Sequence, residues 1–488
     1  MQVASDAVPK AHHFIESNIA DDVERLKQII RIPSIAAENP EGVWKCAELL
    51  LRWFKELRCA EAEIAETAGS PVVYGHYDSH AKTTLLVYIM YDVKQVSGEH
   101  WTMIQDPFDP QLLPLPPFRQ VLVGRGTYNS KGPLTAFLNT LRALEAVGEE
   151  FPVNLKFIAE GEEELGSPNL MDFVEKYMDK LRDASACFAP APCQNIKGVP
   201  SMYLGAKGVV ELELECSGEY WGRGPTRSGI HSSFAAVVES PLWRMVQALG
   251  TMVDHRDPSK VLIEGFYDNV ARPTPRDLQL VKDLAKDFDE EAIKQAVDVK
   301  HFLHDLHGEE LLLKALYTTT LNIQGLEGGY TGPRFKTVLP HSVRVKLESR
   351  IISNQTRSET VERVRRHLDK HGYGDIRVVD HISEKSDDWS RIDPDAGIVH
   401  VVNEAYERHG LKPLVWPSSL GTNPQYIWTK HLRIPYLAAG LGYGARAHAP
   451  DEYYVIQGDG EKHPVAGLAE AEKFFVDLLY RMANEKLN

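Results

Sequence analysis

The sequence predicts an α/β protein: a larger domain with a central, mostly parallel sheet flanked by helices, interrupted by a smaller α+β domain. Three observations carry this. Apolar runs of strand length alternate with amphipathic helical stretches over the first two hundred residues, the pattern of a buried parallel sheet. From about Gly208 the strands instead alternate apolar with charged residues, as half-solvated strands do. After about Asp380 the first texture returns, so the smaller domain is inserted into the larger one. A chain of 488 residues is also too long for one ordinary domain. The expected boundaries are 1–207 and 386–488 for the larger domain and 208–385 for the insertion.

The elements follow in order. Residues 10–31 and 41–57 place apolar side chains at helical spacing. TLLVYIMYDV (Thr84–Val93) reads as a buried strand with Asp92 near its C-terminal end, and proline-rich QLLPLPPF (Gln111–Phe118) as a loop. Lys131–Val147 is an expected helix and Val153–Ala159 a second buried strand. In such a sheet the functional residues gather at the strands' C-terminal ends. The insertion begins with strand Val209–Glu215 and a helix over Phe234–Leu249. Charged helical segments over Pro275–Val297, strand Ser342–Ile352 and helix Glu359–Lys370 follow. Tyr436–Gly440 is a short apolar strand, and a last helix starts at Gly467.

Composition narrows the class only coarsely. Hydrophobic residues make up 43% and charged residues 25%, as in water-soluble globular proteins. A formal net charge of -15 argues against nucleic acid or an anionic membrane as partner. No apolar run approaches a membrane span, and MQVASDAVPKAHHF lacks the basic-then-apolar pattern of a signal peptide. Five cysteines without metal-type spacing are expected to be reduced thiols, which points to the cytoplasm.

Chemistry concentrates in three motifs. FIAEGEEELGS (Phe157–Ser167) runs an apolar strand into three consecutive glutamates. Adjacent carboxylates at a strand end point in different directions, so Glu163 and Glu164 can divide proton transfer and metal binding, or form nothing more than a solvated acidic turn. GRGTYNSKG (Gly124–Gly132) and ARAHAPDE (Ala445–Glu452) are the other two. Ser130 beside Lys131 does not read as a nucleophile pair, because neighbouring side chains rarely converge.

Together these motifs resemble the zinc-dependent aminoacylase, carnosinase and carboxypeptidase G family of co-catalytic metallopeptidases. The resemblance implies that the inserted domain is a lid and dimerisation domain, so a homodimer acting on a small-molecule substrate is expected. It implies that Glu163 is the general base, and that Glu164 and His448 are metal ligands. His231 in SGIHSS matches an oxyanion-stabilising histidine, and Arg350 in ESRIISNQ an arginine that receives the substrate carboxylate. A surface histidine and a strand-end salt bridge are the plainer readings of these two. Asp92 completes the expected catalytic group.

The sequence departs from the family at other ligand positions. The family's GHYDV is here IMYDV, with Met90 in place of a metal-binding histidine. A thioether is a poor substitute for imidazole on zinc. The bridging aspartate is Asn129, and a third acidic ligand falls near Ala191 in CFAPAPC. Met90 and Asn129 therefore join Arg350 as candidate substrate contacts. The cofactor is expected to be one weakly held zinc or other divalent ion, or none, since a catalytic zinc needs three good protein ligands. YGHYDS (Tyr74–Ser79) contains a His-x-Asp pattern, but one segment upstream of the expected strand, so His76 and Asp78 are ligands only if the register differs.

Three functions stay open on these residues. The first is hydrolysis of an amide or related acyl bond in a small carboxylate-bearing substrate. The second is a metal-independent reaction centred on Glu163, such as elimination, acyl transfer or cyclisation. The third is a binding protein that has lost activity.

Overall fold

The structure, a computed structural model, describes residues 4–380, 388–458 and 464–487. The chain forms two compact units. The larger comprises Met1–Leu204, Arg391–Pro417 and Pro424–Asn488, and the smaller Gly205–Ser390 with Ser418–Asn423. The second domain boundary expected from sequence, at 385/386, lies outside the described residues.

The main strands of the larger unit are β1 (Glu61–Ala65), β2 (Val72–Tyr77), β3 (Thr84–Met90), β4 (Gln111–Leu115), β5 (Phe118–Val123), β6 (Asn154–Glu160), β7 (Ala186–Pro190), β8 (Tyr436–Ala439) and β9 (Tyr453–Gln457). Six of them form the central sheet in the order β1-β2-β6-β3-β7-β8. Strands β6, β3, β7 and β8 run parallel, whereas β2 runs antiparallel to β6. This is the mostly parallel sheet expected, and its strands are buried on both faces: every residue of β3 except Met90 is buried. Helices cover it. Pro40–Glu56 is capped by Asn39, whose Oδ1 accepts Gly42 N–H at 3.0 Å, and buries Leu50, Trp53 and Phe54. Ala4–Ile30, Lys131–Ala146 and Leu468–Met482 pack on one another.

One expected loop is a strand. Gln111–Leu115 pairs with β5 at the outer edge of a second, antiparallel sheet that also holds β9. Its register shifts between Leu113 and Leu115, around Pro114. An edge strand tolerates proline because one side of its backbone needs no partner, and that is why proline content misled the sequence reading.

The smaller unit has a four-stranded antiparallel sheet, ordered Asn322–Gly328, Ser342–Ile351, Gly208–Ser217, Arg377–Val379. Ser342–Ile351 alternates buried and exposed residues, as its sequence predicts. The core beneath it includes Val210, Leu212, Met245, Val345 and Val364. The single helix expected over Phe234–Leu249 is divided: a 3₁₀ turn spans Ser232–Ala236, and the α-helix starts afresh at Pro241–Met252. Pro241 cannot continue a helix but suits its first turn, and Ser240 caps it. All five cysteines are free thiols. Among the described residues, no helix is long and apolar enough to cross a membrane.

Candidate functional site

The parallel strands β3 and β6 end side by side, with Met90 in register with Glu160. Beyond them the chain makes two turns that hold each other. Asp92 is fully buried, and its carboxylate oxygens accept the backbone N–H groups of Glu163 (3.1 Å) and Glu164 (3.0 Å). Burial pushes the Asp92 carboxyl well above its ordinary range, and the two amides pull it back. The Glu163–Leu165 turn is thereby clamped at its first two amides, and Gly166 closes it in the left-handed conformation (φ 86°).

Behind this turn lies Glu160, also fully buried. It accepts the Tyr88 hydroxyl at 2.6 Å and the Ser167 hydroxyl at 3.1 Å. Burial raises its pKa well above the usual carboxylate value, against the pull of these two hydroxyls. Glu162 faces elsewhere, accepting Ser70 N, Asn169 N and Asn169 Nδ2. Of the three consecutive glutamates, only Glu163 and Glu164 remain for the site.

Two residues from distant segments, Asn129 and His448, meet at Glu164. Asn129 Nδ2 lies 2.6 Å from Glu164 Oε1 and 2.8 Å from His448 Nε2, and His448 Nε2 lies 3.0 Å from the same Glu164 oxygen. Hydrogen bonding to Glu164 raises the His448 pKa. Asn129 Oδ1 accepts the Ser130 hydroxyl at 2.8 Å. Asn129 is placed by Glu452, a fully buried carboxylate whose Oε1 accepts the N–H groups of Tyr128 (3.0 Å) and Asn129 (2.9 Å). The other Glu452 oxygen takes Gly126 N–H at 3.1 Å and the Arg125 guanidinium at 2.9 Å. The Asn129–Ser130 peptide bond is cis.

This donor set has little to offer a metal. An amide nitrogen carries two hydrogens and no usable lone pair, so Asn129 Nδ2 donates to Glu164 Oε1, the same oxygen that receives His448 Nε2–H, and cannot itself ligate a cation. The one atom of Asn129 that could ligate, Oδ1, is a neutral amide oxygen that accepts the Ser130 hydroxyl and brings no charge to a cation. Met90 ends β3 half-buried, and Ala191 follows β7 with its amide donating to Ala439 O at 3.1 Å. Among the described residues, no group of three or more His, Cys, Asp or Glu side chains is arranged to hold a metal ion.

The upstream His-x-Asp pattern lies at the other end of the sheet. Because β2 runs antiparallel to β6, its C-terminal residue Tyr77 stands beside Leu155, near the start of β6, while the site lies past the end of β6. His76 pairs across the sheet with Glu61 and Lys156, and Asp78 accepts His80 N–H at 2.8 Å.

The remaining candidates belong to the smaller unit. His231 is exposed; its Nδ1 accepts Ser233 N–H at 3.2 Å, which assigns the proton of the neutral ring to Nε2. Arg350 is already paired. Its Nε and Nη2 donate to Glu348 at 2.9 and 3.2 Å, two residues away on the same face of the strand. Two residues that the sequence reading passed over, Lys94 and Glu452, carry much of the geometry. Lys94 Nζ donates to Glu164 O at 2.7 Å and lies 3.3 Å from Glu164 Oε2.

Residues 91–476 match the model of peptidase family M20/M25/M40. The Cys-Gly metallodipeptidase dug1 of Schizosaccharomyces pombe is 28% identical over 433 residues, covering 83% of this chain and 86% of that protein. The solved M20 family metallo-carboxypeptidase Sso-CP2 from Sulfolobus solfataricus is similar at 30% identity, with a TM-score of 0.79 over 95% of this chain and 99% of that one. Human carnosine dipeptidase 1 shares the fold, with a TM-score of 0.73 at 23% identity over 98% and 100% of the two chains. From the strand-end site to the final helix, the chain belongs to peptidase family M20/M25/M40, a family of hydrolases.

Proposed function

We propose that the protein hydrolyses an amide or related acyl bond in a small carboxylate-bearing substrate, with Glu163 as general base and without a two-metal centre. The observation that carries this is the meeting of Asn129 and His448 on Glu164, with an amide donor where a bridging carboxylate would call for a cation. The residues present do not fit a dinuclear metal site, and no step here depends on one. Asp92, expected among the catalytic groups, acts in this reading as a positioning residue, because both its oxygens are spent on the amides of Glu163 and Glu164.

The reaction balances without a further reagent. Glu163 takes a proton from water as the water oxygen bonds to the carbonyl carbon, giving a tetrahedral oxyanion. The protonated Glu163 then passes that proton to the leaving nitrogen or oxygen as the acyl bond breaks, leaving a carboxylic acid and an amine or alcohol. His231 Nε2–H is the proposed oxyanion donor and Arg350 the proposed carboxylate anchor. With no Lewis acid the barrier is several kcal/mol higher, so the favoured bond is more labile than a peptide.

The smaller unit is, in this reading, the lid and dimerisation domain of a homodimer. Its edge strand Asn322–Gly328 leaves Ile323 and Leu326 exposed, and the helix Pro241–Met252 exposes Trp243 at 66%. Light scattering on the purified protein checks this, and a monomer at micromolar concentration would refute it.

The test of activity is hydrolysis of Cys-Gly, β-Ala-His and activated acyl esters, measured before and after chelation. Expected are turnover of the more labile bonds, no loss with chelator, and a fall of about 10²–10⁴-fold in Glu163→Gln. Activity abolished by chelator and restored by zinc would overturn the metal-free reading.

A further inference from the structure

The Glu164 side chain is only 5% exposed, yet it carries a carboxylate. A buried carboxylate needs hydrogen bonds and a counter-charge to stay ionised. Asn129 and His448 occupy Oε1. On the opposite oxygen the nearest cation is the ammonium of Lys94, 3.3 Å from Oε2 and hydrogen-bonded at 2.7 Å to the carbonyl of the same residue. Lys94 reaches this point because it follows Asp92 by two residues on the loop leaving β3. One short segment therefore grips the glutamate turn at its amides through Asp92 and at its carbonyl and carboxylate through Lys94.

We infer that Lys94 is the resident cation of this site: a positioning residue that neutralises Glu164 and disfavours a divalent ion beside it. The inference rests on the metal-free reading above and adds to it the group that does the work. An ammonium is a compact point charge on a flexible stem, able to lie against a carboxylate and a carbonyl at once. A divalent ion seeking Glu164 and His448 would have to displace that ammonium or bear its repulsion at short range. Asn129 explains why a metal is not required, and Lys94 explains why it is not welcome.

The experiment is zinc titration by calorimetry of chelator-stripped wild type, Lys94→Met and Lys94→Arg, each also in the Asn129→Asp background, where an added ligand brings binding into the measurable range. Lys94 is 41% exposed, so its replacement leaves the core intact; thermal melts of each variant verify folding. Expected is that Lys94→Met tightens zinc binding by at least about tenfold in both backgrounds, that Lys94→Arg behaves as wild type, and that adding Glu164→Gln abolishes the gain. Equal zinc affinity with and without the Lys94→Met substitution in both backgrounds, with weak binding throughout, would overturn the role of Lys94 and leave the metal-free reading standing. Two tightly held zinc ions per wild-type chain would overturn that reading, and the role of Lys94 with it.

Discussion

At one end of the central sheet, His76 stands between Glu61 and Lys156, and Asp78 turns back on its own loop. At the other end, Asp92, Glu163, Glu164, Asn129 and His448 converge through hydrogen bonds of 2.6–3.1 Å. Both ends hold histidine and carboxylate side chains close together, and both border buried strands. What separates them is strand direction. The strands β3 and β6 run parallel and deliver their loops to one edge, whereas β2 runs against them and delivers His76 and Asp78 to the other. A His-x-Asp pattern acquires chemistry only when the sheet brings other segments to meet it.

The sharpest way to break this comparison is to compare substitutions at the two ends. Glu163→Gln is expected to cost about 10²–10⁴-fold in hydrolysis, whereas His76→Ala combined with Asp78→Asn stays within about twofold of wild type. Equal losses at both ends, in the same ester and dipeptide assays, would mean that the site has been placed at the wrong edge. A smaller effect is expected in stability. Asp92→Ala leaves two part-buried amides without that acceptor and should cost about 2–6 kcal/mol in urea denaturation, since each such group costs about 1–3 kcal/mol. The half-buried His76→Ala is expected to cost under about 1 kcal/mol, as substitutions away from tightly bonded features do.

The smallest effect concerns pH. Burial, followed by the nearby Lys156 charge, lowers the His76 pKa below its ordinary value of 6.5. The folded state then binds fewer protons than the unfolded state in the window below 6.5. The contribution of His76 is therefore complete above that pH and is lost as the pH falls toward its folded pKa. His76→Asn should flatten the acid limb of the stability profile. In an NMR titration, His76 should titrate below the ordinary histidine value and His448, bonded to Glu164, above it.

Much of the larger unit was legible because buried parallel strands are apolar runs bounded by loops, and Thr84–Met90, Asn154–Glu160 and Tyr436–Ala439 all fit that description. Their order in the sheet was not, since pairing is a long-range property that periodicity does not encode. Edge strand Gln111–Leu115 was hidden by its prolines, and the break before Pro241 by an otherwise helical spacing. In the site, Glu163, Glu164, Asn129 and His448 lie in motifs that the family resemblance singles out. Lys94 and Glu452 lie in or beside the same motifs but gave no signal: a lysine after an apolar run and a glutamate in a polar loop look like solvated charges. Only the fold reveals that Glu452 is fully buried, receiving three backbone amides, and that the Lys94 ammonium reaches Glu164.

The Arg350–Glu348 pair has a consequence for how any carboxylate would be received. Glu348 is an internal competitor tethered two residues away, at an effective concentration that dissolved ligands rarely match. Docking at Arg350 is then an exchange of partners rather than a capture. A ligand would gain there only the difference between two similar ion pairs, so under the proposed role affinity must come from the rest of the molecule, with the arginine orienting what other contacts have already retained.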